Sequence, residues 1–174
     1  MSGDRLSVEG LSVSFRDGAE WKRVVHGASL VVHAGRTTAL VGESGSGKSV
    51  TAMSVLGLLP RNASRIDAGR ITLTEGERSI ELTGADERTR REVRGRRIAM
   101  IFQEPMTALN PVMTVGRQIM ECAEQTGIKS AAARAASIDA LEAVGVDDPR
   151  RRMKAYPHEL SGGQRQRVLI AGAL

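Results

Sequence analysis

The segment that most restricts the fold of this chain is a glycine- and serine-rich loop flanked by two apolar stretches. Residues 37–41 form a short apolar run, which predicts a strand. Residues 49–59 carry apolar groups nearly all round, which predicts a buried helix. The loop between them fits the pattern G-x-x-x-x-G-K-[ST] and consists of Gly42, Glu43, Ser44, Gly45, Ser46, Gly47, Lys48 and Ser49.

The residue types of this loop suit one kind of ligand. Small residues let successive backbone N–H groups point inward around phosphate oxygens, and the N-terminus of the following helix adds a favourable dipole. Lys48 is predicted to reach the β and γ phosphates, and the Ser49 hydroxyl to ligate Mg²⁺. Alone, the loop indicates a nucleoside triphosphate and little else.

Composition excludes several classes of protein. The chain has 174 residues, 41% of them hydrophobic and 26% charged, which is typical of one ordinary soluble domain rather than a disordered chain. No apolar run approaches the roughly 18 residues of a membrane-spanning helix, and the N-terminus lacks the apolar segment of a signal peptide. Cys122 is the only cysteine, which excludes an internal disulfide, and the three histidines do not cluster with it at metal-ligand spacing.

The formal charge of +5 suggests a polyanionic partner. Acidic residues interleave with the densest basic cluster, and no aromatic residue accompanies it for base stacking. A solvated surface is therefore the favoured interpretation of this cluster, which comprises Arg88, Arg90, Arg91, Arg94, Arg96 and Arg97.

The remaining pattern predicts strands followed by helices. Strands are expected at residues 6–15, with a bulge near Gly10, at residues 23–33 and at residues 97–102, and a weak hairpin at residues 69–82. Helices are expected from Thr114 to Gln125, from Ser130 and from Ser161. The second of these has a predicted apolar side of Ala131, Ala135, Ile138, Leu141 and Val144. Together they favour an α/β core with a helical insert between about residues 104 and 160.

A second motif opens the last predicted helix: Leu160, Ser161, Gly162, Gly163 and Gln164. In this motif the chain resembles the ABC-type ATPases, whose LSGGQ signature it carries unaltered. Ser161 and Gly163 offer a hydroxyl and a backbone N–H group to a phosphate, and the resemblance implies that this phosphate belongs to ATP held by the opposite subunit. An ordinary helix cap is the alternative interpretation of the same residues.

The resemblance assigns roles to two further positions. Gln103, after Ile101 and Phe102, matches the Q-loop glutamine, which touches Mg²⁺ and the attacking water in the family. The family also stacks an aromatic residue of the first strand on adenine, and Phe15 fits this position best, with Trp21 as the competitor and a plain core role for Phe15 as the alternative.

The resemblance extends to one subgroup, the ATPase subunits of dipeptide, oligopeptide and nickel importers. It rests on residues 94–111, the segment Thr114-Val115-Gly116 and the segment 156–159. The implied fold is an α/β P-loop NTPase of the RecA-like type, with an N-terminal antiparallel β subdomain and an α-helical subdomain. The expected domains are a nucleotide-binding core at 1–103, a helical subdomain at 104–160 and a signature helix at 161–174 that returns to the core. We expect the run after Gln103 to lie where the helical insert meets a membrane subunit.

The family also uses a carboxylate-ended strand for Mg²⁺, a catalytic Glu, a D-loop and a switch His, all after the signature helix. Residues 1–174 contain none of these, and Asp147 and Asp148 follow a helix-ending glycine rather than an apolar strand. We therefore expect a fold that is incomplete at the C-terminus, no catalytic residue within the chain, weak nucleotide binding and no turnover.

The expected function is that of the ATP-binding subunit of an importer for peptides or a similar solute, with ATP and Mg²⁺ as cofactors. The implied partners are a second ABC ATPase subunit, identical or paralogous, two transmembrane permease subunits and, indirectly, a periplasmic or extracellular solute-binding protein. The implied location is the cytoplasmic face of the membrane, and no nucleic acid is expected. The alternative is a soluble ABC-type ATPase that acts on nucleic acid or ribosomes; a P-loop small-molecule kinase leaves the signature unexplained.

Overall fold

The computed structural model describes residues 5–102 and 108–174, which form two compact units divided between Arg91 and Glu92. The strands of the first unit are β1 (Arg5–Asp17), β2 (Glu20–His33), β3 (Ser64–Glu75) and β4 (Arg78–Glu81). The helices, in chain order, are α1 (Lys48–Val55), α2 (Glu87–Val93), α3 (Val115–Gln125), α4 (Ser130–Ala143), α5 (Pro149–Arg152) and α6 (Gly162–Ala171), with a 3₁₀ turn at Pro157–Glu159.

The strands of the first unit form one antiparallel sheet in the order β2-β1-β3-β4. The register between β1 and β2 shifts between Val8 and Leu11, which confirms the bulge predicted near Gly10. The predicted hairpin is also confirmed, because β3 and β4 pair from Glu75 and Arg78 outward. A short turn suffices there, since Gly76 takes up a φ of +57° that residues with a side chain rarely adopt.

Strand β1 is central and is buried on both faces. Leu11 and Val13 are fully buried, and the alternating Ser12 and Ser14 on the other face are less than a tenth exposed. Gly69 of β3 crosses β1 closely, with a φ of +98°, and a Cβ atom there would lie 2.5 Å from Leu11 Cα. Glycine is therefore required at this crossing.

Two predicted strands are wrong for the residues described. Neither residues 37–41 nor residues 97–102 join a ladder; Ile98 forms only an isolated parallel bridge with Arg94. Their apolar side chains stay open to solvent, with Val41 85% exposed and Phe102 51% exposed. An apolar run becomes a strand only where the backbone of a neighbouring strand pairs with it through hydrogen bonds. The sequence of the run does not show whether such a neighbour is present.

Helix α1 is shorter and more polar on its inner side than predicted. It ends at Val55, where residues as far as 59 were expected to be helical. Its buried residues are Thr51 and Ser54, whose hydroxyls donate to Gly47 O at 3.0 Å and to Val50 O at 2.7 Å. Because these bonds satisfy both hydroxyls within the helix, the polar side chains are buried at little cost.

The second unit has an apolar core that collects residues from α3, α4, α6 and the segments between them. Its most deeply buried large side chains, each less than 2% exposed, are Leu141, Val115 and Val168. Helix α3 has the predicted bounds and the predicted N-cap, Thr114, yet the Thr114 side chain makes no capping bond. Backbone carbonyls accept from the first turn instead, Ala155 O from Val115 N at 2.8 Å and Met153 O from Gly116 N at 2.9 Å.

Helix α4 differs from the prediction in its cap and in its buried side. Lys129 is the N-cap, and Ser130 is the first helical residue. Three of the five predicted apolar positions are confirmed, because Leu141 is buried and Ile138 and Val144 pack against the core. Ala131 and Ala135 are exposed instead, and Ala133 and Ser137 are buried. In an alanine-rich helix several faces are almost equally apolar, so packing partners and not the residue pattern decide which face is buried.

The compact units do not follow the predicted domain limits. The division at Arg91 lies before the predicted boundary at 103, and α6 belongs to the second unit. The predicted division into a core at 1–103, a helical subdomain at 104–160 and a signature helix at 161–174 stays a prediction.

Candidate functional site

The glycine- and serine-rich loop of the first unit ends in an N-terminus of α1 that no side chain caps. Gly47 is the N-cap, with a φ of +89°. A Cβ atom at Gly47 would lie 3.0 Å from both Val24 O and Val25 Cγ2 of β2. Glycine is therefore required twice, by its backbone conformation and by its close approach to the sheet. The N–H groups of the first helical turn, which have no partner within the helix, are left open for an anion.

Lys48 folds back over the loop that precedes it. Its Nζ atom donates to Gly42 O at 2.8 Å, to Glu43 O at 2.7 Å and to Ser46 Oγ at 3.3 Å. These bonds hold the ammonium group beside the loop, where it adds positive charge to the N–H groups. The geometry thus places one full charge and a helix N-terminus at the same loop.

The rest of the loop is tightly wound and exposed. Ser46 N donates to Glu43 O at 3.2 Å, and Gly45 has a φ of +83°. A Cβ atom at Gly42 would lie 2.8 Å from Ser46 Oγ, so a larger residue would displace that hydroxyl. Ser44 and Ser49 are exposed at the surface of the loop.

The signature residues of the second unit form a capping box at the start of α6. Ser161 is the N-cap; its Oγ accepts from Gln164 N at 3.3 Å, while Gln164 Oε1 accepts from Ser161 N at 3.1 Å. Leu160 is buried in the core of this unit, and Gly162 and Gly163 are exposed. The helix-cap interpretation is thus part of the structure, and it leaves the Ser161 O–H and the N–H groups of both glycines available as donors.

Two arginines hold the start of α6 against the rest of the second unit. Arg165 Nε donates to Pro157 O at 2.7 Å, and Arg167 Nη1 donates to the carbonyls of Val144 and Gly145, which end α4. Carbonyls at a helix C-terminus lack partners within the helix, so a guanidinium is well placed there. The signature loop is therefore fixed in its own unit by its two neighbouring arginines.

The family model for ABC transporters matches residues 25–174, which include both loops. The chain belongs to the ABC transporter family. Members of this family bind nucleotide. Residues 42–49, called the phosphate loop after their motif, lie in the first unit, and residues 160–164, called the signature loop, lie in the second.

The curated relatives within the ABC transporter family carry names of import proteins. A putative peptide import ATP-binding protein of Brucella abortus is 48% identical over 171 residues, covering 97% of this chain and 51% of its own length. The dipeptide transport ATP-binding protein DppD of Bacillus subtilis is 44% identical over 170 residues, covering 97% of this chain and 50% of its own length. The chain thus spans about half the length of these relatives.

Solved structures of ABC transporter cassettes share the fold. The dimeric bacterial ABC transporter cassette MJ0796 superposes with a TM-score of 0.79 at 23% identity, covering 97% of this chain and 68% of the other. The protein cbiO1 from Clostridium perfringens, part of the complex cbiONQ, has a TM-score of 0.74 at 23% identity, covering 99% of this chain and 61% of its own. The predicted α/β fold of an ABC ATPase cassette is confirmed.

The remaining predicted site residues of this ABC transporter family member are placed as follows. Phe15 is half-buried on β1, where it pairs with Lys22 of β2 and Ser64 of β3. Its competitor Trp21 is 39% exposed, and the guanidinium of Arg65 lies 4.5 Å from the centre of its ring. That face of Trp21 is therefore occupied within the chain. Gln103 lies outside the described residues.

Sequence reasoning missed two polar residues that each join several partners. The Gln118 side chain binds the backbone of the segment that precedes α3: its Oε1 accepts from Asn110 N at 2.9 Å, and its Nε2 donates to Asn110 O and to Met113 O, each at 3.0 Å. A glutamine inside a helix gives no sequence signal for this.

Asp67 of β3 is the second missed residue. Ser14 Oγ donates to its Oδ2 at 2.5 Å, Arg65 lies 2.7 Å from Oδ1, and Arg23 approaches at 3.4 Å. The Ser14 hydrogen bond, followed by the neighbouring Arg65, lowers the pKa of Asp67. Its partners lie on three different strands, so spacing in the sequence does not reveal the cluster.

The described residues contain neither a membrane-spanning helix nor a cluster of metal-binding side chains. No helix in residues 5–102 or 108–174 has both the length and the apolar character needed to cross a membrane. Within the same ranges, no group of three or more His, Cys, Asp or Glu side chains is arranged to hold a metal ion.

Proposed function

We propose that this chain is the ATP-binding part of an importer subunit that couples ATP binding and hydrolysis to the uptake of peptides or a similar solute. The observation that carries the proposal is the presence of two phosphate-type loops, one with Lys48 and one with the Ser161 cap, in a chain whose relatives are named as peptide import ATP-binding proteins. The substrate class comes from those relatives, since the residues of the two loops recognise phosphate only.

The glycine- and serine-rich loop suits the phosphates of a nucleoside triphosphate. Gly47 leaves no room for a side chain, and no side chain caps α1, so the N–H donors of the first turn remain for phosphate oxygens. The Lys48 ammonium lies beside them, and it would exchange its hydrogen bonds within the loop for bonds to phosphate. We infer that Gly42, Glu43, Ser44, Gly45, Ser46, Gly47, Lys48 and Ser49 hold the phosphates, and that Phe15 contacts the adenine. ATP, when bound, supplies the γ-phosphate bond whose hydrolysis drives transport.

Magnesium and the partner subunit complete the proposal. Ser49 and Gln103 are inferred to ligate Mg²⁺, as the resemblance of their motifs implies. Leu160, Ser161, Gly162, Gly163 and Gln164 are inferred to face ATP held by a second ATPase subunit, identical or paralogous. Two transmembrane permease subunits are the expected membrane partners, so the chain would act at the cytoplasmic face, with a solute-binding protein as an indirect partner.

For residues 1–174 alone, we propose nucleotide binding without turnover. Asp147 is exposed and Asp148 is the N-cap of α5, where its carboxylate accepts from Arg151 N. Both are therefore turn residues rather than Mg²⁺ ligands or general bases. Steady-state ATP hydrolysis by the purified 174-residue chain that disappears in Lys48→Ala would contradict this proposal.

The test of nucleotide binding is calorimetric titration of the chain with ATP and Mg²⁺. Lys48→Ala removes charge-assisted bonds to phosphate, each contributing about 1.5–3 kcal/mol, and should weaken binding roughly 10- to 100-fold. Lys129→Ala removes the exposed lysine that precedes α4 and should leave the affinity unchanged. Equal affinities for all three proteins would overturn the proposal.

The nucleic-acid alternative gains no support from the relatives described above. Part of the Arg-rich stretch is also engaged within the chain, since Arg91 lies 3.9 Å from Glu87 on the same helix. Co-purification with two polytopic membrane proteins is the expected result. RNA or DNA binding that weakens steeply with added salt would instead favour the alternative.

A further inference from the structure

A cavity of about 500 Å³ lies within the first unit, at the C-terminal end of α1 and away from the phosphate loop. Ser54 and Gly57 line it on the side of the helix, and Thr83 and Gly84 line it beyond β4. The charged side chains that line it are all arginines: Arg61, Arg65 and Arg90. No acidic residue is among its described lining residues.

The two carboxylates nearest to these arginines are each shared between two guanidinium groups. Glu87 lies 2.5 Å from Arg61 and 3.9 Å from Arg91. Asp67 lies 2.7 Å from Arg65 and 3.4 Å from Arg23. Arg90 adds a third arginine, so the charged residues among the described lining of the cavity are all cations. Because Arg61 and Arg65 are more than half exposed, solvent screens part of their repulsion, and the partly buried Arg90 is the arginine that gains most from an anion.

The Arg90 guanidinium is the least satisfied of the three. Its Nε atom is buried, and among the described residues no acceptor lies within hydrogen-bond distance of it. The side chain lies across Gly57, where a Cβ atom would come within 2.9 Å of Nε. A buried donor without an acceptor costs about 1–3 kcal/mol, so an acceptor inside the cavity would stabilise this arrangement.

We propose that this cavity is a second anion site, independent of the phosphate loop, that binds a small phosphate-bearing molecule. Guanidinium groups present planar pairs of N–H donors that match two oxygens of a phosphate, and a phosphate dianion balances the surplus charge better than a monocarboxylate does. The proposal does not rest on the proposed function, because none of its residues belongs to the two loops.

The rival explanation is a purely structural role for Arg90. A cation beside the C-terminus of α1 is favourable with respect to the helix dipole, without any ligand. The two explanations differ in one measurable respect, since the structural role leaves the chain with no phosphate affinity outside the phosphate loop.

The test is equilibrium dialysis of the 174-residue chain and of its variants against labelled inorganic phosphate, without nucleotide. We expect phosphate binding to persist in Lys48→Ala, in which the phosphate loop is impaired. Arg90→Gln should weaken phosphate binding about tenfold, because one charge-assisted bond is lost. Phosphate binding that Lys48→Ala abolishes, or that Arg90→Gln leaves unchanged, would overturn the proposal.

Further variants guard against misfolding and against non-specific attraction. The Arg61 side chain is 71% exposed, so Arg61→Gln should weaken phosphate binding without unfolding the chain. Arg5→Gln removes an exposed arginine at the start of β1, and it should leave phosphate binding unchanged. Equal losses of phosphate binding in Arg5→Gln and Arg61→Gln would indicate a general charge effect and overturn the proposal. Citrate that displaces the labelled phosphate as strongly as pyrophosphate does would overturn it as well.

Discussion

At the scale of single residues, a short hydrogen bond of 2.5 Å joins Ser14 of β1 to Asp67 of β3, which are 53 positions apart in sequence but lie on neighbouring strands of the sheet. The Ser14 hydroxyl donates to the carboxylate, and Arg65 and Arg23 approach it from β3 and β2. All these interactions favour the ionised form of Asp67, which is why its pKa lies below the ordinary value of 3.8.

We expect the cluster around Asp67 to make the first unit sensitive to acid. Because the pKa is lowered on folding, the stabilisation is complete above about pH 3.8 and is lost as the pH falls through the lower pKa of the folded state. Urea unfolding measured between pH 6 and pH 2.5 should show this loss in the native chain and a weaker dependence in Asp67→Asn. Glu9→Gln, an exposed position on β1, is the control, and an identical pH dependence in all three proteins would contradict the expectation.

At the scale of elements, α6 is held by the capping box between Ser161, its N-cap, and Gln164. Two of its arginines also donate hydrogen bonds to backbone carbonyls elsewhere in the second unit. The Ser161 hydroxyl accepts one hydrogen bond and retains its own proton. The cap therefore stiffens the signature loop and still leaves a donor at the helix N-terminus.

Loss of the Ser161 cap should open α6 locally. Ser161→Ala is expected to lower the free energy of opening of this helix by about 1 kcal/mol. Gln164→Glu keeps the acceptor that the capping box needs and should change little, whereas Gln164→Ala should resemble Ser161→Ala. Hydrogen exchange of the α6 amides measures each effect, and Ser130→Ala, inside the first turn of α4, is the control. No difference between Ser161→Ala and Ser130→Ala would refute the role of the cap.

The elements that sequence reasoning predicted well are those fixed by residues a few positions apart. The start of α6, the β3-β4 hairpin and the bulge in β1 all depend on local caps, turns or glycines. The bounds of α3 were predicted as well, although distant carbonyls accept hydrogen bonds from its first turn. The misjudged features depend on distant partners. Residues 37–41 have no neighbouring strand among the described residues, and the buried side of α4 is chosen by the helices against which it packs.

The same distinction applies to the candidate site. The phosphate loop and the signature loop were recognisable because each is a continuous run whose geometry its own residues determine. The Asp67 cluster joins residues far apart in the chain, and Gln118 binds the backbone of residues five and eight positions away through its side chain. No periodicity or motif in the sequence indicates either arrangement. Gln103 and its role stay a prediction.

At the scale of the whole molecule, the two loops belong to two different compact units, the phosphate loop to the first and the signature loop to the second. Each unit has its own buried core, built on the sheet in one and on helices α3, α4 and α6 in the other. A ligand that binds only the phosphate loop should therefore stabilise the first unit directly.

We expect ATP to protect the two loops differently in hydrogen exchange. At low protein concentration ATP should slow exchange of the amides in residues 42–51 and leave residues 161–165 unchanged, since the signature loop is proposed to meet ATP of another subunit. Raising the protein concentration should then slow exchange in residues 161–165 as well, because association follows mass action. The measurement without nucleotide at both concentrations is the control. Protection of residues 161–165 that does not depend on protein concentration would argue against a shared site.

The position of Trp21 makes it a natural optical probe of the arginine-lined cavity. It is the only tryptophan in the sequence, and its ring lies against the guanidinium of Arg65, which lines that cavity. Indole emission depends on the charges beside the ring. Movement of Arg65 should therefore change the wavelength or the intensity of Trp21 emission. The unmodified protein thus carries one indole, beside an arginine of the cavity, and excitation at the red edge of its absorption separates its emission from that of Tyr156.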